Sequence, residues 1–374
     1  MDLDLTDDQE LLRETTARFI EADCDLVHVR ALADSATGVD EGYLAKGAEL
    51  GWFALLVSEE LGGGSISGSG LRDAVVIAEE RGRQLQPGPF VPANVVAFAL
   101  SQAGNDEQQN KILPSLIDGS SVATWAIANA TGAWEPGSGV QATPSGTGYV
   151  LNGRANLVQD AELADWILVV ATSAEGLCQF LLPASAPGLT VNKLESLDLS
   201  RRFGEVVLDG VQADAGSAVG APGQSADLIE RELQVALVLT VSESVGAMNR
   251  IFEITLDYAK ARTAFGRPIG SFQAIKHSLA DTGLLLEMAQ GMATAAARAV
   301  GDERPDAGEV ASMAKSLVGD NGVALSQNCF QTFGGIGYTW EHDQHLFLRR
   351  LAMDALLYGE PAAHRERICQ LHDL

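Results

Sequence analysis

The sequence is short of positive charge. Its 374 residues hold 25 Lys and Arg against 50 Asp and Glu, a formal net charge of −25. A deficit of that size argues against nucleic acid and anionic membranes as partners, because both need a basic footprint. It leaves room for a small anionic ligand, which needs only a local arginine or lysine. Cysteine is scarce too. Cys24, Cys178, Cys329 and Cys369 are scattered with no CxxC pair, which speaks against a disulfide framework or a zinc site and for buried thiols. No stretch is expected to reach the roughly 18–20 apolar residues of a membrane helix. The acidic opening "MDLDLTDDQE" lacks the apolar run of a secretory or mitochondrial signal, so the expected location is cytoplasmic. Neither an internal repeat nor a low-complexity tract is visible.

What is present is a large apolar fraction, 46%, beside 20% charged residues. A chain of this length is expected to divide into two or three subdomains. Residues 1–121 read as a helical N-terminal domain: in "TDDQELLRETTARFIEADC", Thr6 is a plausible N-cap ahead of Leu11, Leu12 and Phe19 on a helical period. Residues 122–223 change character. "GYVLNGRANLVQ", with Asn152-Gly153 as a two-residue turn, reads as a hairpin, and "ADWILVVAT", "LCQFLLPA" and "GEVVLDGV" read as further strands. A small central β-barrel or sandwich is expected there. From 224 to 374 the helical period returns in long, Ala-rich runs, as in a C-terminal four-helix bundle that packs on itself and on other subunits. The fold class is α+β, multidomain.

Two segments in the helical half carry chemistry. "RTAFGRPIGSFQ" (262–273) places Arg262, Phe265, Gly266 and Gln273 where a helix is interrupted. A guanidinium fork suits a pyrophosphate, and Gly266 and Pro268 break the helix so that backbone can approach a ligand. Alone, the segment reads equally well as a helix–helix corner with Arg262 in a salt bridge. "QTFGGIGY" (331–338) brings Gln331, Gly334 and Gly335 together; alone, it reads as a glycine helix terminus. Three other features read plainly. "LGGGSISGSG" (61–70) lacks the lysine of a phosphate loop, His342 and His345 complete no metal-ligand pattern, and Arg349 and Arg350 suit pairing with the abundant acids better than a phosphate site.

The helical–β–helical order, together with "RTAFGRPIGSFQ", "LGWFALLVSEELGG", "GYVLNGR" and "QTFGGIGYTWEHDQHLFLRR", resembles the acyl-CoA dehydrogenase family across the whole chain. The resemblance implies FAD as cofactor and an acyl-CoA substrate. It also implies an electron-transfer flavoprotein as acceptor, and a homo-oligomer or a hetero-oligomer with a related subunit. It carries Arg262, Phe265, Gln273, Gln331, Gly334 and Gly335 over as residues that reach the adenine and pyrophosphate side of an FAD held by a neighbouring subunit. The implied reaction is α,β-dehydrogenation of the thioester to the 2-enoyl-CoA. In it a buried Glu takes the α-proton while the β-hydrogen passes to the flavin.

The sequence departs from the family at that base. The two positions the family uses fall on Ala236 and Tyr358. Glu243, about 10 Å further along the same helix face, and Glu360, two residues beyond Tyr358, are the candidate substitutes; each reads equally as a solvated or salt-bridged residue. The two flavin-facing segments are altered as well, to "AIANATGAW" with Asn129, and to "NLVQD". Three functions stay open: an FAD-dependent acyl-CoA dehydrogenase with a relocated base, a non-catalytic partner subunit of an α2β2 dehydrogenase for bulky acyl chains such as steroid side chains, and a flavin monooxygenase on the same fold.

Overall fold

The computed structural model describes residues 5–35, 37–40 and 42–373. The first four residues of the acidic opening lie outside them. The N-terminal region contains α1 (Asp7–Asp23), α2 (Leu26–Leu32), α3 (Tyr43–Glu49), α4 (Gly70–Arg83), α5 (Phe90–Ala103) and α6 (Leu113–Ile117). Thr6 caps α1 as the sequence suggests, in a reciprocal capping box with Gln9. Before α4, the loop "LGGGSISGSG" is organised by the buried Asp73, which accepts from Ser65 Oγ, Ile66 N and Ser67 N.

The central region carries β1 (Ala123–Ala126), β2 (Val140–Ser145), β3 (Gly148–Gln159), β4 (Trp166–Ser173), β5 (Gly176–Pro183), β6 (Leu189–Leu194) and β7 (Phe203–Ala213). They form one seven-stranded sheet in the order β1-β4-β2-β3-β7-β6, with β5 on β4. The sheet does not close into a barrel. Alternation gives each strand two apolar faces. Ile167, Val169 and Ala171 of β4 line the core enclosed by the sheet, whereas Leu168 and Val170 join the helical core. The hairpin turn lies at Gly146, not at Asn152-Gly153. Those two residues sit inside β3 at a register shift, where Asn152 Oδ1 accepts from Gly210 N at 2.8 Å.

The C-terminal region holds α7 (Ala226–Ala261), the short strands β8 (Thr263–Ala264) and β9 (Arg267–Pro268), then α8 (Gln273–Gly301), α9 (Ala307–Phe333), α10 (Gln344–Leu356) and α11 (Pro361–Leu371). The helices α7 to α10 pack as a bundle and α11 lies on α9. An 18-residue window of α7 is long and apolar enough to cross a membrane by length and composition, contrary to the expectation above, but 83% of it is buried inside the protein. That is the signature of a core helix.

The approach of α4 to α7 fixes the interior. A Cβ on Gly82 would stand 1.9 Å from Glu243 O, and one on Gly246 would stand 1.9 Å from Glu79 O. The two helices therefore touch backbone to backbone through a glycine on each side. That contact sets Arg81 of α4 and Glu243 of α7 side by side.

Candidate functional site

One end of the bundle gathers the residues singled out in the two helical segments. α7 stops at Ala261, and Arg262 leaves it with extended backbone. The interruption is a miniature hairpin: Thr263 pairs with Pro268 and Ala264 with Arg267. Its two tip residues, Phe265 (φ 52°) and Gly266 (φ 79°), are both left-handed, as a two-residue turn requires. Phe265 is 96% exposed, and its ring meets that of Phe272 edge-on at 6.2 Å. The Arg267 guanidinium lies 4.0 Å over Phe272. Gln273, exposed, opens α8.

The second segment ends next to the first. Tyr258, one turn before Arg262, contacts Phe333 with ring centroids 5.0 Å apart. Phe333 is the last residue of α9. Gly334 turns the chain with φ 62°, and nothing stands within 4 Å of where a Cβ on Gly334 or Gly335 would be. Gln331 is exposed on the last turn of α9. Arg262 is exposed and makes no ion pair among the described residues, in a chain whose acids outnumber its bases two to one. An unpaired guanidinium beside glycines open to solvent is a donor set for a diphosphate. Ile336, Tyr338 and Trp340 are exposed on the same connection, so apolar surface adjoins the polar one.

The interior is organised differently. Arg201, between the sheet and the bundle, donates from one nitrogen to Glu243 and from the other to Asp354. Arg81 Nε lies 3.7 Å from the other Glu243 oxygen, and its guanidinium sits against the rings of Trp52 (4.7 Å) and Phe90 (4.8 Å). Glu243 is 2% exposed. Burial works against the charge on Arg201, but the Asp354 and Glu243 carboxylates outweigh it and hold its pKa above the ordinary value. Beside this group, Arg350 donates to Asp198 at 2.9 Å and to Ser200 Oγ at 2.6 Å. Burial raises the Asp198 carboxyl, yet Arg350 and Arg201 hold it below the usual range. Arg349 donates to Leu197 O. Both arginines therefore serve internal contacts.

Tyr358 fills the space over this network. It is buried, with φ 59°, and its ring lies 5.9 Å from Trp125 and 4.9 Å from Trp134. Two side chains tie its loop down with three hydrogen bonds. Lys315 Nζ donates to Asp354 O at 2.7 Å and Ala355 O at 2.8 Å, and His364 Nε2 meets Tyr358 O at 3.0 Å. Glu360 is exposed and precedes α11 as its N-cap residue, without a side-chain cap bond.

The two altered strand ends close on each other. Asn129 Oδ1 accepts from Thr131 N at 2.9 Å and Ala133 N at 3.0 Å, so this side chain folds its own turn. Asn156 N donates to Ala128 O at 3.2 Å. Leu157 bulges with φ 52°, and its Cδ1 lies 3.3 Å from where a Cβ on Gly132 would be. Trp134, at the end of this turn, reaches Tyr358. These contacts pack the two strand ends and the Tyr358 loop together. Sequence reasoning missed Arg201, Trp125 and Trp134. Nothing in "SLDLSRRFG" marks Arg201, whereas Trp134 at the end of an altered segment was a usable signal. His342 packs on Phe333 and His345 on Trp340, and the described residues contain no metal-ligating cluster.

Comparisons with known proteins agree with this architecture. Residues 6–120 match the family described as "Acyl-CoA dehydrogenase, N-terminal domain", and residues 226–370 match "Acyl-CoA dehydrogenase, C-terminal domain". The chain is 30% identical to acyl-CoA dehydrogenase IpdE2 of Mycolicibacterium smegmatis over 97% of its own length and 98% of the relative's. Among solved structures, it is similar to a chain of the ChsE4-ChsE5 complex from Mycobacterium tuberculosis (TM-score 0.91, 26% identity, 100% of this chain and 99% of that one). It is also similar to a chain of the Tcur3481-Tcur3483 steroid ACAD G363A variant (TM-score 0.89, 29% identity, 98% of each).

Proposed function

The chain belongs to the acyl-CoA dehydrogenase family, FAD-dependent oxidoreductases, and we propose that within it this protein is the subunit that completes a neighbour's FAD site. In this reading, α,β-dehydrogenation of the acyl-CoA thioester is left to the neighbour's residues. The observation that carries the reading is the Trp134–Tyr358 contact. Tyr358, which falls where the family's carboxylate is expected, is packed against an indole and offers no base to a substrate. Glu243 does not replace that carboxylate, because both of its oxygens face arginines. A base must be within hydrogen-bond reach of the proton it takes, and this one is turned into the protein.

The outer edge is built for the complementary task. In the proposed assembly, Arg262 and Gln273 hold the diphosphate and adenosine part of FAD. Gly334 and Gly335 let it approach backbone N–H groups, while Phe265, Tyr338 and Trp340 become buried against the neighbour. FAD bound there supplies the oxidant for dehydrogenation. The proposed substrate of the assembly is a bulky acyl-CoA, by likeness to the steroid ACAD structure, and the proposed acceptor is an electron-transfer flavoprotein.

The test is flavin per subunit. Purified alone, the chain is expected to hold far less than one FAD per subunit and to gain flavin when a related dehydrogenase subunit is co-expressed. Stoichiometric flavin in the lone chain, bleached by an acyl-CoA, would overturn the reading.

A further inference from the structure

Glu232, on the first third of α7, has no positively charged partner among the described residues. It is 0% exposed. One of its oxygens accepts from Gln179 Nε2 of β5 at 2.8 Å. Its other oxygen, Oε2, and the Gln179 Oε1 oxygen are both buried without a partner. The contact is therefore half-made: one donor and three acceptors, with one donor missing. A buried polar pair left in that state is costly.

The surroundings offer no other remedy. One turn along α7 on either side stand Leu228, Ile229, Val235 and Ala236. The adjacent charged residues of α7 are engaged elsewhere, Glu230 with Arg367 and Arg231 with Glu303. α5 has no ionisable residue. β5 brings only Cys178, whose sulfur accepts from Gly223 N. The link from Val219 to Ser225 has no charged side chain.

We propose that Glu232 is held as a neutral carboxylic acid, that its O–H supplies the missing donor, and that this reciprocal acid–amide pair is a pH-sensitive clasp docking the central sheet on α7. A single proton completes the contact without any new group. Its loss puts an unpaired charge into the seam between β5 and α7. Burial, opposed by the bond from Gln179, pushes the carboxyl up to about 8. The folded chain therefore binds a proton that the unfolded chain has released, over the window from about 4.5 to about 8. Because the folded state holds more protons there, stability falls as pH rises through that window and levels off above it.

The experiment compares wild type with Glu232→Gln, which keeps both donor and acceptor and cannot ionise. Urea midpoints are measured from pH 5 to 9 on the full chain. The variant is expected to gain on wild type steadily up to about pH 8 and then to run parallel. The slope difference between them corresponds to about one proton per chain. Curves that are parallel throughout would overturn the proposal. A second readout does not depend on the variant's stability. The infrared difference spectrum of wild type minus Glu232→Gln at neutral pH should contain the carbonyl band of a protonated buried carboxylic acid, which fades above pH 8. A difference spectrum without that band at pH 6 would also overturn it.

Discussion

The rings of Trp134 and Tyr358 lie 4.9 Å apart, joining a loop of the sheet to the loop that follows α10. A contact of this kind fills volume and also commits two connections to one arrangement. Replacing buried Tyr358 by Ala is expected to cost roughly 3–5 kcal/mol, the range for deleting a large aromatic from a core. Chemical denaturation measures it. The lone variant should still fail to retain FAD, because Trp134 and Leu157 remain.

Arg201→Met should be among the most damaging substitutions in the interior. It leaves Glu243 and Asp354 buried without their shared cation, and breaking a buried pair in this way costs roughly 3–5 kcal/mol. Adding Glu243→Gln to the same chain should recover part of the loss. A thermal unfolding series on both variants checks the order.

Arg262→Ala should behave in the opposite way. The side chain is exposed and unpaired, so the melting temperature of the lone chain should stay within the error of wild type. Flavin occupancy of the assembled enzyme should fall severalfold. Equal flavin content in the wild-type and variant assemblies would refute the role given to this edge.

His364 should make the Tyr358 loop sensitive to acid. Burial is the main cause that lowers its pKa to about 4, while its bond to Tyr358 O works the other way. Between about pH 6.5 and 4 the unfolded chain takes up a proton that the folded chain refuses, so stability falls as pH drops through that window. His364→Gln should flatten this part of the profile in urea titrations.

Gly246→Ala should separate α4 from α7. Its Cβ would meet Glu79 O at 1.9 Å, a clash that backbone alone can relieve. Gly291→Ala, where nothing lies within 4 Å, is the control and should be neutral or stabilising by up to about 1 kcal/mol. Circular dichroism melts distinguish the two.

Much of this fold was legible because periodicity is a local signal. Thr6 with Gln9, the long apolar runs of α7 to α9 and the alternating strands each declare themselves within a few residues. Asn152-Gly153 misled for the same reason. The pair has the composition of a turn, but Gly153 is needed inside β3, where a Cβ would stand 2.2 Å from Gly139 O. The outer edge was legible because its residues come from two short segments. The interior was not, because Arg81, Arg201, Glu243 and Asp354 come from four distant parts of the chain. Their pairing rests on the glycine contact between helices, which no spacing reveals.

One helix joins the two halves of this account. α7 carries Glu243 near its middle and hands the chain to Arg262 at its end, about 28 Å further on at the rise of an α-helix. No proline lies between them, and the helix is continuous. The stretch acts as a lever arm whose fulcrum is the Gly82–Gly246 contact. A tilt of a few degrees at the fulcrum moves the tip by an ångström or more, enough to misalign a hydrogen bond. The charged interior, remote as it is from the surface edge, is therefore what keeps that edge in alignment.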